Sequence, residues 1–400
     1  MPSPFLTRIL KMDLPKGQSA FLWGARKTGK SSYLKKVYPN SLYYDLLNTE
    51  EHIRLAKAPY LLREEILALV KTGKLELPVI IDEIQKVPLL LDEVHWLIEN
   101  AAVSFILCGS SARKLKRGAA NLLGGRAWRY QFFPLTSAEL PETEYDLLRI
   151  FNNGLLPSHY LFEGSARRSL NSYIEDYLKE EIQAEGLVRN LPTFAHFLDI
   201  AGLCNTEIIN FTNIARDCGI SAKTVQTYFD ILEDTLIAYL IPPYAKKIKR
   251  DLIISKSKFY FFDIGVANRL AKWECEALRG PAAGRSFEHF IFLELMAYKK
   301  IMDCDWNIQY WRTHEGHEVD FILGDAKIAI EVKLGEQIDR RDLKGLNAFR
   351  EEHPNTKAYV ICQAPRPRLI TLENHGITHD IEILPYREFL TLLWTHALPL

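Results

Sequence analysis

Long hydrophobic runs are missing from this 400-residue chain. The longest apolar stretches, such as 78–81 and 105–108, are strand-sized, against the roughly 20 residues of a membrane-spanning helix, so no membrane partner is expected. The opening MPSPFLTR has no charged region leading into a long apolar core, and no secretory signal is expected. Cysteine is sparse: Cys108, Cys204, Cys218, Cys275, Cys304 and Cys362 include no Cys-x-x-Cys pair. That spacing argues against a zinc cage or a disulfide framework and fits a reducing cytoplasm. An excess of charge is missing too, because 50 Lys and Arg balance 50 Asp and Glu. A polycation that coats nucleic acid without specificity is therefore excluded, whereas local basic patches are not.

What is there belongs to a folded protein. Hydrophobic residues make up 48% and charged residues 25% of the chain, which excludes a disordered one. Its length implies about two to four domains. Strand-like segments at 19–23, 41–44, 79–81, 104–107 and 130–133 alternate with helical patterns such as 60–71 and 91–99. Strands interleaved with helices imply a parallel α/β sheet. The pattern changes near Pro134 and Pro141. The expected organisation is an α/β domain over 1–140, a helical linker or lid over 141–204, a helix-turn-helix domain over 205–274 and a second α/β domain over 275–400.

Gly24-Ala25-Arg26-Lys27-Thr28-Gly29-Lys30-Ser31 matches G-x-x-x-x-G-K-[ST], with a strand before it and a helix start at Ser31-Ser32 after it. Glycines let backbone N–H groups curl around phosphate oxygens, and the helix N-terminus favours negative charge. Lys30 is expected on the β- and γ-phosphates of ATP and the Ser31 hydroxyl on Mg²⁺. About fifty residues on, the apolar Val79-Ile80-Ile81 ends in Asp82-Glu83. Asp82 is expected to hold Mg²⁺ through water and Glu83 to polarise the attacking water. The next strand ends at Cys108-Gly109-Ser110-Ser111, where Ser110 is placed to sense the γ-phosphate. Arg113, Arg117 and Arg126 follow, and Arg126 is the candidate to reach a neighbouring subunit's γ-phosphate.

On these motifs, with Ile84-Gln85-Lys86-Val87-Pro88 and Gly125-Arg126, the chain resembles a prokaryotic family of AAA-type ATPases. Further resemblance lies at Asn153-Gly154-Leu155-Leu156-Pro157, where Asn153 replaces a glycine, and at Lys258-Phe259-Tyr260-Phe261-Phe262-Asp263-Ile264-Gly265. The resemblance implies an ATPase ahead of a C-terminal domain of unassigned function, assembled as a homo-oligomeric ring, with a hexamer among the possible counts.

Residues 211–232 read as helix, turn, helix. Gly219 supplies the turn, Ser221 the N-cap, and Val225, Phe229 and Leu232 a buried stripe. Lys223, Thr224, Gln226 and Thr227 then remain free to face DNA. The β-prone runs that follow suit the wing of a winged helix, and Lys246, Lys247, Lys249 and Arg250 concentrate positive charge nearby. The alternative is a winged helix used for protein packing.

Near the C-terminus, Glu288 shares a helical face with Ile291, Phe292 and Leu295. Asp320 lies in a strand pattern, and Glu331 and Lys333 in the next. A two-residue turn at Gly324-Asp325 would set Asp320 opposite Ala329. Asp320, Glu331 and Lys333 would then share one face, with Val319, Phe321, Ile330 and Val332 on the other. This set resembles the PD-(D/E)xK nuclease core without its leading proline, which implies a restriction-endonuclease-like fold whose acids converge on Mg²⁺. The bland alternative is an inactive relic or an ion-pair ladder.

The fold class expected is thus α/β: a P-loop NTPase parallel sheet, a helical and winged-helix region, and a restriction-endonuclease-like domain. The function expected is a cytoplasmic Mg²⁺-dependent ATPase that binds and remodels or translocates DNA. The alternatives are a nucleotide-gated adaptor for a protein partner and an ATP-regulated DNA nuclease.

Overall fold

The computed structural model describes residues 6–110, 123–178, 188, 190–244, 257–374 and 377–399. The chain divides into two compact units, the first made of Thr7–Pro134 with Asp234–Ile237 and the second of Leu135–Glu233 with Ala238–Leu400. The regions expected at 141–204, 205–274 and 275–400 fall together in the second, apart from Asp234–Ile237.

In the first unit, β1 (Ser19–Trp23), β2 (Tyr43–Asp45), β3 (Val79–Asp82), β4 (Phe105–Gly109) and β5 (Ala127–Gln131) form a wholly parallel sheet in the order β2-β3-β4-β1-β5. β1, β3 and β4 are buried along their whole length, as central strands of a two-sided parallel sheet must be. The helices are α1 (Lys30–Val37), α2 (Thr49–Lys57), α3 (Tyr60–Thr72) and α4 (Leu90–Ala101). Leu62 and Ile66 of α3 and Leu90, Val94 and Leu97 of α4 repeat at helical spacing, and they join one core with Phe21, Ile81 and Leu107. The last strand begins three residues before its expected start at 130. Among the described residues it is an edge strand paired only to β1, with Trp128 and Arg129 exposed, so hydrophobicity hid it while marking the buried Phe132 and Phe133 beyond it.

The second unit opens with helices α5 (Leu147–Asn153), α6 (Pro157–Tyr160), α7 (Ala166–Ser172) and α8 (Leu191–Leu203). Then come α9 (Phe211–Cys218) and α10 (Ala222–Asp234), followed by β6 (Ala238–Ile241) and β7 (Lys258–Phe261), which pair antiparallel. Asn210 caps α9, Gly219 turns the chain at φ 67°, and Ser221 Oγ accepts from the Thr224 N–H at 3.1 Å. α11 (Ile264–Leu270) and the long α12 (Pro281–Ile301) lead to a mixed six-stranded sheet, ordered β12-β13-β11-β10-β9-β8. Its strands are β8 (Ile308–Arg312), β9 (Glu318–Leu323), β10 (Ile328–Val332), β11 (Lys357–Cys362), β12 (Arg368–Asn374) and β13 (Ile377–Pro385). α13 (Lys344–Glu352) links β10 to β11, and α14 (Tyr386–Trp394) follows β13. Phe287, Phe290, Ile291 and Leu295 of α12 share a core with Phe321, Ile330 and Ile361 of the sheet.

One carboxylate clasps the helical part. Asp263 Oδ2 accepts from the Leu155 N–H at 2.7 Å and the Leu156 N–H at 3.2 Å, while Oδ1 accepts from the Val266 N–H at 3.0 Å. It therefore satisfies donors ahead of α6 and at the start of α11 together. The fit demands glycine: a Cβ on Gly154, whose φ is 72°, would lie 2.0 Å from Asp263 Oδ1, and one on Gly265 would lie 2.4 Å from the Gly154 nitrogen. The two sequence motifs around Gly154 and Asp263 are thus halves of one contact.

The β9–β10 hairpin departs from expectation in two ways. Ile328 pairs with Leu323 and Ile330 with Phe321, so Asp320 comes level with Glu331 rather than Ala329. The turn spans four residues, with positive φ at Gly324, Asp325 and Ala326, and two extra residues slide the register by two. The facing also differs. Val319 packs with Ile322, whereas Phe321 packs with Ile330 and Val332, because the β8–β9 register shifts between Gln309 and Trp311. Such an irregularity bends the strand and re-aims its side chains at this point.

Candidate functional site

The phosphate loop leaves β1 at Trp23 and feeds α1, at the C-terminal end of the parallel sheet where α/β folds bind ligands. A Cβ on Gly24 would sit 2.3 Å from the Phe132 carbonyl, so no side chain fits there. Gly29 takes φ 97° directly before α1. Thr28 Oγ1 donates to the Ala25 carbonyl at 2.8 Å. Lys30 Nζ donates to the Gly24 carbonyl at 2.6 Å and the Ala25 carbonyl at 2.9 Å, which holds its ammonium over the loop. Arg26 and Lys27 are half-buried in the loop, while Ser32 faces solvent.

Strands β3 and β4 bring the remaining groups to the same end. Asp82 Oδ2 accepts from Ser31 Oγ at 2.6 Å and from the Tyr43 hydroxyl at 2.5 Å. Burial and the Asp82 charge push the Tyr43 phenol far above its usual range, so it stays a donor. Asp82 Oδ1 is buried without a hydrogen-bond partner among the described residues. An orphaned carboxylate oxygen beside a serine hydroxyl is a donor set that suits a hydrated Mg²⁺. Glu83 adopts φ 61° and is buried. Gln85 Nε2 donates to Glu83 Oε2 and, at 3.0 Å, to Ser110 Oγ, so one amide bridges the two residues. A Cβ on Gly109 would meet Gln85 Oε1 at 2.4 Å, so glycine there makes room for the bridge. The expected Lys30, Ser31, Asp82, Glu83 and Ser110 are thus gathered at one end of the sheet. Tyr43 and Gln85 were missed; for Gln85 the available signal was its position two residues after Glu83.

Arg126 lies elsewhere. It precedes β5, whose first residue pairs with Ser19 at the start of β1, and its guanidinium pairs with Glu99 on α4. The five residues of β1 put roughly 16 Å between that end of the sheet and the phosphate loop. Arg113 and Arg117 lie outside the described residues.

In the second unit, Val225, Tyr228, Phe229 and Leu232 of α10 are buried, while Lys223 and Thr227 are exposed and Thr224 and Gln226 are half-buried. Lys246, Lys247, Lys249 and Arg250 lie outside the described residues.

The nuclease-like set gathers around a lysine for which the sequence alone suggests no role. Lys258 Nζ lies 2.9 Å from Glu288, 3.1 Å from Glu318 and 3.2 Å from Asp320. Tyr260 donates to Glu288 at 2.6 Å, and the Val332 N–H donates to Asp320 Oδ2 at 2.8 Å. Glu331 pairs instead with Lys333 at 2.6 Å. Among the described residues no group of three His, Cys, Asp or Glu is arranged to hold a metal ion. The expected Glu288, Asp320, Glu331 and Lys333 are brought together, Asp320 acting electrostatically on Glu288, Glu331 and Lys333, and the Lys258 ammonium sits between Glu288 and Asp320. The overlooked signal was a lysine opening the apolar Phe259–Phe262 run, which is costly unless paired.

Glu331 Oε2 is buried without a hydrogen-bond partner among the described residues. Burial, with the Asp320 charge behind it, pushes its carboxyl from 4.5 up to about 8. The folded chain therefore keeps a proton here that the unfolded chain loses near pH 4.5. This contribution to stability is full below that pH and is lost as pH rises through about 8. Glu288 and Glu294, each raised to about 7 by burial, add in the same direction. The melting temperature is expected to fall from pH 5 to pH 8, with a shallower slope in Glu331→Gln; an identical slope would remove Glu331 from the account.

Comparison with known proteins agrees with the first unit's geometry. Residues 16–141 match the family model of an AAA domain. Residues 145–277 match a domain of unknown function (DUF8612), and residues 283–379 match another (DUF4143). Uncharacterised proteins of Mycobacterium bovis and Mycobacterium tuberculosis are each 24% identical over 322 residues, which cover 78% of this chain and 69% of theirs. A solved Signal Transduction ATPase with Numerous Domains protein from Pyrococcus horikoshii, with a tetratricopeptide repeat sensor, is similar at 13% identity and a TM-score of 0.22. That match covers 76% of this chain and 49% of the other, so the chain spans about half its length. The first unit is thus similar to an AAA domain, and no helix among the described residues is long and apolar enough to cross a membrane.

Proposed function

We propose that the chain is a Mg²⁺-dependent ATPase whose hydrolysis cycle drives a DNA-directed second unit. The carrying observation is the convergence of Lys30, Ser31, Asp82, Glu83 and Ser110 at the C-terminal ends of β1, β3 and β4. Mg²⁺, when bound with ATP, neutralises charge on the β- and γ-phosphates. Lys30 supplies a point charge to the same phosphates, Ser31 and Asp82 hold the cation's shell, and Glu83 accepts a proton from the attacking water. Ser110 touches the γ-phosphate and, through Gln85, connects it to Glu83. Arg126, at the far end of its own sheet, serves a neighbouring subunit's nucleotide, which makes a ring the working assembly.

The DNA half of the proposal rests on α9–α10 and the β6–β7 pair after them, the order of elements in a winged helix. The start of α10 presents Lys223 and Thr227 to solvent, where such a fold meets a major groove or its phosphates. Phosphodiester cleavage is not part of the proposal. ATP turnover is expected to rise with duplex, single-stranded or branched DNA, and Lys223→Ala should flatten the log–log salt dependence of DNA binding by about 0.9. Turnover indifferent to all three DNAs, with no DNA bound, would reject the DNA half and leave the ATPase as the motor of a protein-binding adaptor.

A further inference from the structure

The acidic cluster beside the mixed sheet already holds a cation. An ammonium has three donors and no acceptor. Lys258 Nζ has three carboxylates within reach, Glu288 on α12 at 2.9 Å and Glu318 and Asp320 on β9 at 3.1 and 3.2 Å. Its side chain is 3% exposed, so water does not compete for those donors. The acids are satisfied from the other side as well, Glu288 by the Tyr260 hydroxyl, Asp320 by the Val332 N–H and Glu318 by Arg312 at 3.6 Å. Desolvation alone would lower the pKa of a buried lysine, yet Glu288, Asp320 and Glu318 overcome it and hold Lys258 charged.

We infer that Lys258 is a built-in counter-ion standing where a divalent metal would otherwise sit, so that the second unit holds its acidic cluster together without metal. The charges support this reading. Three cations, Lys258, Lys333 and Arg312, face four acids, Glu288, Glu318, Asp320 and Glu331. A divalent ion added to this set would have to expel the ammonium, and Lys258 is fixed by its backbone in the β6–β7 pair. The same contacts tie that pair to α12 and β9, giving the lysine a mechanical role that a diffusible metal could not have.

The test is thermal melting of the full chain with and without Mn²⁺. The unmodified chain and Asp320→Asn should show the same Mn²⁺ response, because any ion at the phosphate loop affects both alike. Lys258→Ala should melt well below the unmodified chain and recover in Mn²⁺, and that recovery should vanish when Asp320→Asn is added. Lys258→Met with Glu288→Gln should be less destabilised than the two single changes summed, since removing both partners relieves the stranded charge. A Mn²⁺ stabilisation of the unmodified chain that Asp320→Asn abolishes would overturn the inference, and it needs no variant lacking Lys258 to fold. Strict additivity of Lys258→Met and Glu288→Gln would overturn it as well.

Discussion

Glu83→Gln is expected to bind ATP and to lose turnover by about 10²- to 10⁴-fold, the usual contribution of a positioned general base. The substitution keeps the side chain's shape and a bond to Gln85, but a neutral amide cannot take a proton from water. Glu83 is buried directly after β3, in the left-handed region at φ 61°. Lys30→Ala should fail earlier, at binding, because it removes the ammonium that the Gly24 and Ala25 carbonyls hold over the loop. Fluorescent-nucleotide binding and phosphate release measured on both variants separate the steps. Glu83→Gln turning over as fast as the unmodified chain would remove Glu83 from its role and reopen the catalytic reading.

Asp263→Asn is expected to cause the largest loss of stability in the second unit. Asp263 is fully buried, and both its oxygens accept from backbone N–H groups, two ahead of α6 and one at the start of α11. An amide turns one acceptor into a donor facing donors. The amide keeps one acceptor, so one or two N–H groups lose their partner at about 1–3 kcal/mol each, and a loss on the order of 1–6 kcal/mol follows. Burial raises this carboxyl from 3.8 to about 6, so its contribution to stability is full below the lower value and is lost as pH rises through about 6. Gly154→Ala should be comparably harmful, since its Cβ would lie 2.0 Å from Asp263 Oδ1. Denaturant unfolding checks both, and a change under about 1 kcal/mol in Asp263→Asn would show that water replaces the acceptor.

Local chemistry made the nucleotide site legible in the sequence. Gly24, Gly29, Lys30 and Ser31 stand next to one another in the chain, and Asp82-Glu83 closes an apolar strand, so neighbours in sequence are neighbours in space. Strand β1 was placed to the residue for the same reason: its buried run is bounded by Gly17 and Gly24. The buried stripes of α10 and α12 followed from helical periodicity, which needs no knowledge of the partner surface.

Tertiary structure decided the rest. Lys258 and Asp320 are 62 residues apart, and no periodicity announces that one will neutralise the other. The β9–β10 register turned on a four-residue loop instead of two, and on an irregularity whose cause lies in the pairing with β8. Gly154 and Asp263 appeared as separate motifs until packing joined them. Residue type and short-range order determined where phosphate would be met and which stripes would be buried. Which charge would face which carboxylate depended on how distant strands came together, and that is why the second unit's acids meet a lysine.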